Sequence, residues 1–238
     1  MTRIIGHVTA LARYPVKSMA GEALAVAELD WQGIEGDRQY AFLRRANGTR
    51  LPWLTAREVP ALVLHTARFA NPGAPKTSAV MVDTPDGATV SLHDAMLCAH
   101  LEAAAGEPVG LIQSARGIYD SMPVSIQTSA GHAALEAAHG TALDPRRFRS
   151  NVLIESEVPP DALQGLRLAF GEPEDGAVVQ CADPIARCVI TTIDPATGGK
   201  EPRVLRTVAQ VFGNAYGIYA GPSRPGLIRL GDPVRVVD

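Results

Sequence analysis

The run Arg187-Cys188-Val189-Ile190-Thr191-Thr192-Ile193-Asp194-Pro195-Ala196-Thr197-Gly198 sets a thiol beside a guanidinium, with two hydroxyls and a carboxylate following. A fixed positive charge next to a thiol favours the thiolate. A thiolate is a nucleophile or a donor to a soft metal. The competing reading is a structural cysteine in a buried strand, since cysteine is among the most buried residue types. Strand neighbours alternate faces, so Arg187 need not lie on the same side as Cys188.

Four other segments carry groups suited to an anion. Tyr14-Pro15-Val16-Lys17-Ser18-Met19-Ala20-Gly21 offers an amine, a hydroxyl and turn N–H groups, which together can cradle an oxyanion. In Gly33-Ile34-Glu35-Gly36-Asp37-Arg38, Asp37 can hold Arg38 and aim it at a phosphate. Thr55-Ala56-Arg57-Glu58 has the same form. Arg146-Arg147-Phe148-Arg149-Ser150-Asn151 is the densest basic stretch of an otherwise acidic chain. Each also has a plain reading: a solvated turn, a weak surface ion pair or an exposed charged face.

Other chemistry is not signalled. The six histidines show no zinc-site spacing, and no glycine-rich nucleotide loop or cysteine cluster is present. Cys98 reads as core and Cys181 as structural. His132 and His139 are expected to face solvent from a short helix.

The elements that must position these groups read mostly as short strands. Candidates are Val8 to Tyr14, Gln39 to Arg44, Thr49 to Leu54, Ala61 to Ala67, Ala79 to Asp83, Val152 to Glu155, Cys188 to Ile193, Leu227 to Leu230 and Val234 to Val237. Asn47-Gly48 suits a tight hairpin turn. Ser91 to Asp94 fits a capping box before a helix bearing Leu97 and Leu101 and ending at Gly106. Ser129 to His139 and Arg203 to Val211 are further helices. Eighteen prolines and 22 glycines fit barrels of short strands better than alternating strands and helices. The expected class is mainly β with a few short helices (α+β), divided into residues 1–115 and 116–238.

Composition bounds the function. With 46% hydrophobic and 20% charged residues the chain can bury a core. A net charge of −3 and 5% aromatics argue against nucleic-acid binding. No signal-like or membrane-spanning run is visible, and three cysteines without a CxxC pair suit a reducing compartment. A cytoplasmic protein without membrane partners is expected.

Taken in order, the segments resemble the MOSC family, the molybdenum-cofactor sulfurase C-terminal domain proteins. Tyr14-Pro15-Val16-Lys17-Ser18, Gly36-Asp37-Arg38 and Leu54-Thr55-Ala56-Arg57 are similar to its N-terminal β-barrel part. Arg147 to Asn151, the Cys188 to Asp194 string and Pro225-Gly226-Leu227-Ile228-Arg229-Leu230-Gly231-Asp232-Pro233-Val234 are similar to the MOSC domain itself. The resemblance implies an N-terminal β-barrel packed on a MOSC β-barrel, with a pyranopterin molybdenum cofactor between them. It implies Cys188 as molybdenum ligand and Lys17, Ser18, Arg38 and Arg149 along the cofactor's phosphate and pterin. Arg57, Ser150, Asn151 and Arg187 join the candidate cofactor-binding set, and Asp194 is the candidate for proton delivery. Ser150 stands where relatives often carry proline, and Met19 where a smaller residue or cysteine is common.

The reaction implied is reduction of N-hydroxylated or related N-oxygenated small molecules. No ferredoxin-like extension follows Val237, so electrons are expected from a separate ferredoxin, flavin or cytochrome-type protein. The alternatives are a sulfur or cofactor carrier working through a Cys188 persulfide, and a non-catalytic anion-binding barrel with Cys188 in its core.

Overall fold

A computed structural model describes residues 3–46, 48 and 52–238. In chain order the elements are β1 (Arg3–Arg13), β2 (Glu22–Ala23), β3 (Val26–Asp30), β4 (Gly33–Ile34), β5 (Tyr40–Arg44), β6 (Thr66–Phe69), β7 (Val80–Asp83) and β8 (Thr89–Ser91). Then follow α1 (Ala95–Ala105), β9 (Val109–Gln113), β10 (Val124–Thr128), α2 (Ser129–His139), β11 (Val152–Glu155), β12 (Arg167–Phe170) and β13 (Val178–Ala186). The described chain closes with α3 (Pro202–Phe212), β14 (Ala215–Arg224), β15 (Gly226–Arg229) and β16 (Pro233–Val237).

Seven strands form a barrel in the order β11-β10-β14-β13-β12-β16-β1, and β1 returns to β11 through pairs such as Leu11↔Val152. Only β10 and β11 run parallel. Closure leaves the ring without a free edge, which removes the usual site of strand-to-strand aggregation. Inward residues such as Val8, Leu11, Ile126, Val152, Phe170 and Ile218 fill it. A second core gathers Val16, Met19, Phe42, Leu54, Phe69, Val82 and Leu101 around the pair β5-β9 and the sheet β6-β7-β8.

The cores do not follow a cut near residue 115. β1 supplies Val8 and Leu11 to the barrel, and Leu24, Ala27, Leu29 and Ile34 pack there with residues beyond 124. Ile193 packs in the opposite direction, into the second core. The sheet β15-β3-β4 likewise joins early and late chain, with Ile228 opposite Ala27.

Helix signals were mostly local. Thr128 caps α2 by accepting from the Gly131 amide at 3.3 Å, and Gly140 ends it in the left-handed conformation at φ 83°. α1 starts later than a Ser91 capping box requires. Asp94 is itself the cap, accepting from the Met96 amide at 2.7 Å. Where Ala61 to Ala67 reads as one strand, Pro60 opens a 3-10 turn through Leu64, and extended pairing begins only at Thr66. Of the hairpin about Asn47-Gly48, Asn47 and residues 49–51 lie outside the described residues. Beyond them Leu54 donates to Phe42 O at 2.8 Å, while the ladder partner of β5 is β9.

His132 and His139 do not face solvent. His139 is fully buried between Thr207 Oγ1 at 3.1 Å and Glu201 Oε1 at 3.0 Å, and His132 Nε2 lies 2.9 Å from Leu143 O. Cys181 is buried, and burial pushes its thiol up to about 12, which makes it inert. Cys98 is half-buried against the second core. Among the described residues no helix is long and apolar enough to cross a membrane.

Candidate functional site

The Cys188 segment is not a strand. Residues Val189–Thr192 form a 3-10 turn with Cys188 at its head. The two threonines account for the difference, because their hydroxyls bond back onto the chain and compete with a ladder. Thr191 Oγ1 donates to Cys188 O at 2.9 Å and Thr192 Oγ1 to Val189 O at 2.7 Å. Cys188 is thus half-buried on a tight turn, not sealed in a sheet.

It opens into a cleft of about 360 Å³ that collects Lys17, Ser18, Arg38, Arg57, Arg149 and Arg187. These come from five separate segments. Lys17 and Ser18 lie in the turn after β1, held between the fully buried Val16 and Met19 that root it in the second core. Lys17 Nζ donates to Ile118 O at 3.1 Å and to Asp120 Oδ1 at 2.7 Å. Burial pushes the Lys17 amine below its ordinary value, with Asp120 opposing. Burial pushes Asp120 the other way, but Lys17, Arg38 and Arg57 together hold it below the usual carboxylate range.

Arg57, not Arg187, is the close cation of the thiol. Thr55 donates its amide and hydroxyl to Glu58 Oε2 at 3.0 and 2.7 Å, and the Arg57 amide donates to Thr55 Oγ1 at 3.2 Å. That turn brings the Arg57 guanidinium into the same cleft as the Cys188 sulfur. Its interaction with Cys188 is the main cause holding the guanidinium above its ordinary value. Arg187 turns inward instead. Its Nε donates to Tyr216 O at 2.6 Å and its Nη1 to Phe148 O at 2.8 Å, with the guanidinium 5.4 Å from the Phe148 ring centre.

Arg38 and Arg149 share the ring of Tyr14, at 5.1 and 4.4 Å from its centre. Asp37 holds Arg38 at 2.5 Å and accepts from the Tyr14 amide at 2.7 Å. Arg38 Nη2 also donates to Arg149 O at 2.9 Å. Arg149 Nη1 donates to Met19 O at 2.5 Å. Burial pushes Arg149 and Arg187 each down to about 10. Both keep a buried Nη2 with no hydrogen-bond partner. Unsatisfied buried donors are costly, and a cationic one is best satisfied by an anion.

Backbone strain converges here as well. Among the described residues, four non-glycines hold positive φ: Ser18 at 68°, Arg38 at 51°, Arg149 at 53° and Asn214 at 71°. Three line the cleft, and the carbonyl of the fourth accepts the Arg187 amide at 2.9 Å. Such conformations are unfavourable for residues with a Cβ and gather at ligand sites.

Three expected site residues stand outside the cleft. Asn151 is fully buried. It accepts from Ser125 Oγ at 2.9 Å and from Arg38 at 3.3 Å and donates to Ala12 O at 3.2 Å, so it positions Arg38 from behind. Ser150 is buried and accepts from Gln127 Nε2 at 2.6 Å. Asp194 does not line the cleft. Its carboxylate accepts the Ala196 and Thr197 amides at 2.9 and 3.0 Å and pairs with Arg147 at 2.7 Å. It ties off the loop that follows the 3-10 turn.

Sequence reading passed over Trp53, Tyr119, Asp120, Met122 and Tyr219, which complete the walls. No local pattern marks them. Trp53 comes from the segment after β5, where it bridges Leu43; Tyr119, Asp120 and Met122 come from the loop between β9 and β10, and Tyr219 from β14. Among the described residues no group of three or more His, Cys, Asp or Glu is placed to hold a metal ion. The cleft's offering is a single thiol amid five cationic side chains: Lys17, Arg38, Arg57, Arg149 and Arg187.

Comparison with known proteins agrees with this arrangement of parts. Residues 5–107 match the MOSC N-terminal beta barrel domain and residues 113–235 the MOSC domain. A molybdenum cofactor sulfurase of Drosophila grimshawi is 32% identical over 98 residues, covering 38% of this chain and 12% of that protein. The chain therefore corresponds to about an eighth of that relative's length. The crystal structure of the YUAD protein from Bacillus subtilis shares the fold at 17% identity and a TM-score of 0.53, over 99% of this chain and 96% of that one. Matched by both domains in sequence, and by a solved structure in fold, the chain belongs to the MOSC family.

Proposed function

We propose that the cleft binds the pyranopterin molybdenum cofactor and that the protein is a molybdenum-dependent oxidoreductase acting on N-oxygenated small molecules. The observation carrying this reading is the convergence of Lys17, Ser18, Arg38, Arg57 and Arg149, the last with an unpartnered guanidinium nitrogen, on a strained cleft that also presents Cys188. A phosphate-bearing cofactor supplies the anion those donors lack. A metal largely held by its own organic ligand needs only one sulfur from the protein. Ser18, Lys17, Arg38 and Arg149 would hold the phosphate and pterin, and Arg57 would orient the Cys188 sulfur. When bound, the cofactor supplies the two-electron redox chemistry.

The residues around it bind, orient and move protons. Reducing an N–OH group breaks the N–O bond, takes up two electrons and two protons and releases water. The Lys17–Asp120 pair at the mouth is the titratable relay suited to those protons, since the Asp120 side chain is 71% exposed. Tyr219, Met122 and Trp53 give the substrate an apolar wall. Electrons would come from a separate donor protein.

The test is elemental analysis of protein from a molybdenum-replete host, with benzamidoxime reduction driven by an artificial reductant. About one molybdenum per chain is expected, and Cys188→Ala should lose metal and turnover while staying folded. Full turnover in that variant refutes the reading. The half-buried sulfur open to the cleft also suits a persulfide carrier, as the sulfurase relative's name suggests. Intact-mass analysis showing one added sulfur on Cys188 in molybdenum-free protein would favour that second reading.

A further inference from the structure

A second cavity of about 700 Å³ lies beside the cleft and shares only Arg149 and Ile190 with it. Its size falls in the range of small-molecule sites. The walls are apolar, built from Leu11, Val63, Leu64, Leu153 and Ile193. Four charged side chains, Glu22, Arg146, Arg147 and Arg149, also line it, and Arg147 is the most constrained. Arg147 lines the cavity with its side chain only 5% exposed. Its Nη1 donates to Thr192 O at 3.1 Å and its Nη2 to Asp194 at 2.7 Å, which fixes the guanidinium plane. Its buried Nε has no hydrogen-bond partner.

Of the other charges here, Glu22 and Arg146 are already matched, and Arg149, shared with the cleft, donates Nη1 to Met19 O. Glu22 is bound by Arg13 at 2.8 Å, and Arg146 by Asp144 at 2.5 Å. A polyphosphate would therefore find too few free donors here. A single carboxylate would satisfy Arg147 Nε, and an apolar body would fill the rest.

We propose that this cavity is a binding site for an apolar monocarboxylate, anchored by Arg147. The site adjoins the cofactor cleft through Arg149 and Ile190, and the proposal stands whether or not the cleft holds its cofactor. The probe is 1-naphthoate, titrated calorimetrically into the full chain, with 1-naphthalenemethanol as its neutral counterpart. We expect one naphthoate per chain, with the alcohol at least about tenfold weaker. Ala10→Trp, which fills the cavity from β1, should abolish binding with an unchanged melting temperature. Arg147→Gln should weaken naphthoate about tenfold and leave the alcohol unaffected. Cys188→Ala should bind naphthoate as the parent does. Absence of binding heat at millimolar naphthoate overturns the proposal, as does binding that survives Ala10→Trp. Equal affinity for acid and alcohol removes the role of Arg147.

Discussion

Replacing Arg149 by methionine should separate binding from stability. The guanidinium is pushed well below its ordinary value, down to about 10, chiefly by burial, so the charged side chain costs on the order of 3 kcal/mol in the folded protein. Against that stand one charge-assisted hydrogen bond to Met19 O, about 1.5–3 kcal/mol, and the Tyr14 ring contact, about 0.5–1 kcal/mol. The terms nearly cancel. In the unliganded protein Arg149→Met should therefore sit within about 1 kcal/mol of the parent, or ~2–4 °C in melting temperature. Ligand binding has no such cancellation. The free Nη2 would make a new charge-assisted bond, so losing it should weaken pyrophosphate, a simple phosphate-bearing probe, by roughly 10- to 100-fold. Differential scanning fluorimetry with and without pyrophosphate, together with calorimetric titration, measures both quantities. A variant melting some 8 °C or more below the parent, yet binding pyrophosphate within about threefold of it, would refute the assignment of Arg149 as an anion donor.

Asp194→Ala should cost about 2–3 kcal/mol, because it strips a buried guanidinium of its nearest carboxylate, yet keep Cys188-dependent activity in whatever protein stays folded. Loss of turnover without loss of stability would restore Asp194 as a proton donor. Asp120→Asn should tighten pyrophosphate about three- to tenfold at low salt, with the gain shrinking as ionic strength rises, since it removes the carboxylate competing for Lys17. Affinity unchanged in a salt titration would contradict this. Asp120, Asp144, Asp194 and Glu58 all sit below their ordinary values in the folded chain. Their contribution to stability is complete above the unfolded values near ~4 and is lost as pH falls through the lower folded ones. Urea midpoints should therefore drop steeply below about pH 4, and Asp194→Asn should flatten that drop.

The legible parts of the chain were those set by local chemistry. α2 and β11 were readable to the residue, because Thr128, Gly140 and the Val-Leu-Ile run are short-range signals. The cationic groups at Lys17, Arg38, Arg57 and Arg149 announced an anion, and the cleft gathers all four. Two long strands, β13 and β14, escaped notice. Pro184 in the first and Gly217, Gly221 and Pro222 in the second read as breakers, whereas the barrel absorbs them with register shifts between Cys181 and Ala186. Cys188 shows the opposite error. Its neighbours are β-formers by type, but Thr191 and Thr192 spend their hydroxyls on the chain and wind it into a turn. Arg57 could not be assigned to the sulfur from sequence at all, since 131 positions separate them and only the packing of the second core against the barrel brings them together.

The ring closes by joining residues 3–13 to 152–155 on one flank and to 233–237 on the other. The opening strand therefore lacks its first barrel partner until residues 152–155 have been made, and its second until 233–237 have. The cleft, which needs Arg149 and Cys188, is incomplete until those segments have been made. During that delay the unpaired strand is the stretch most in need of chaperone cover.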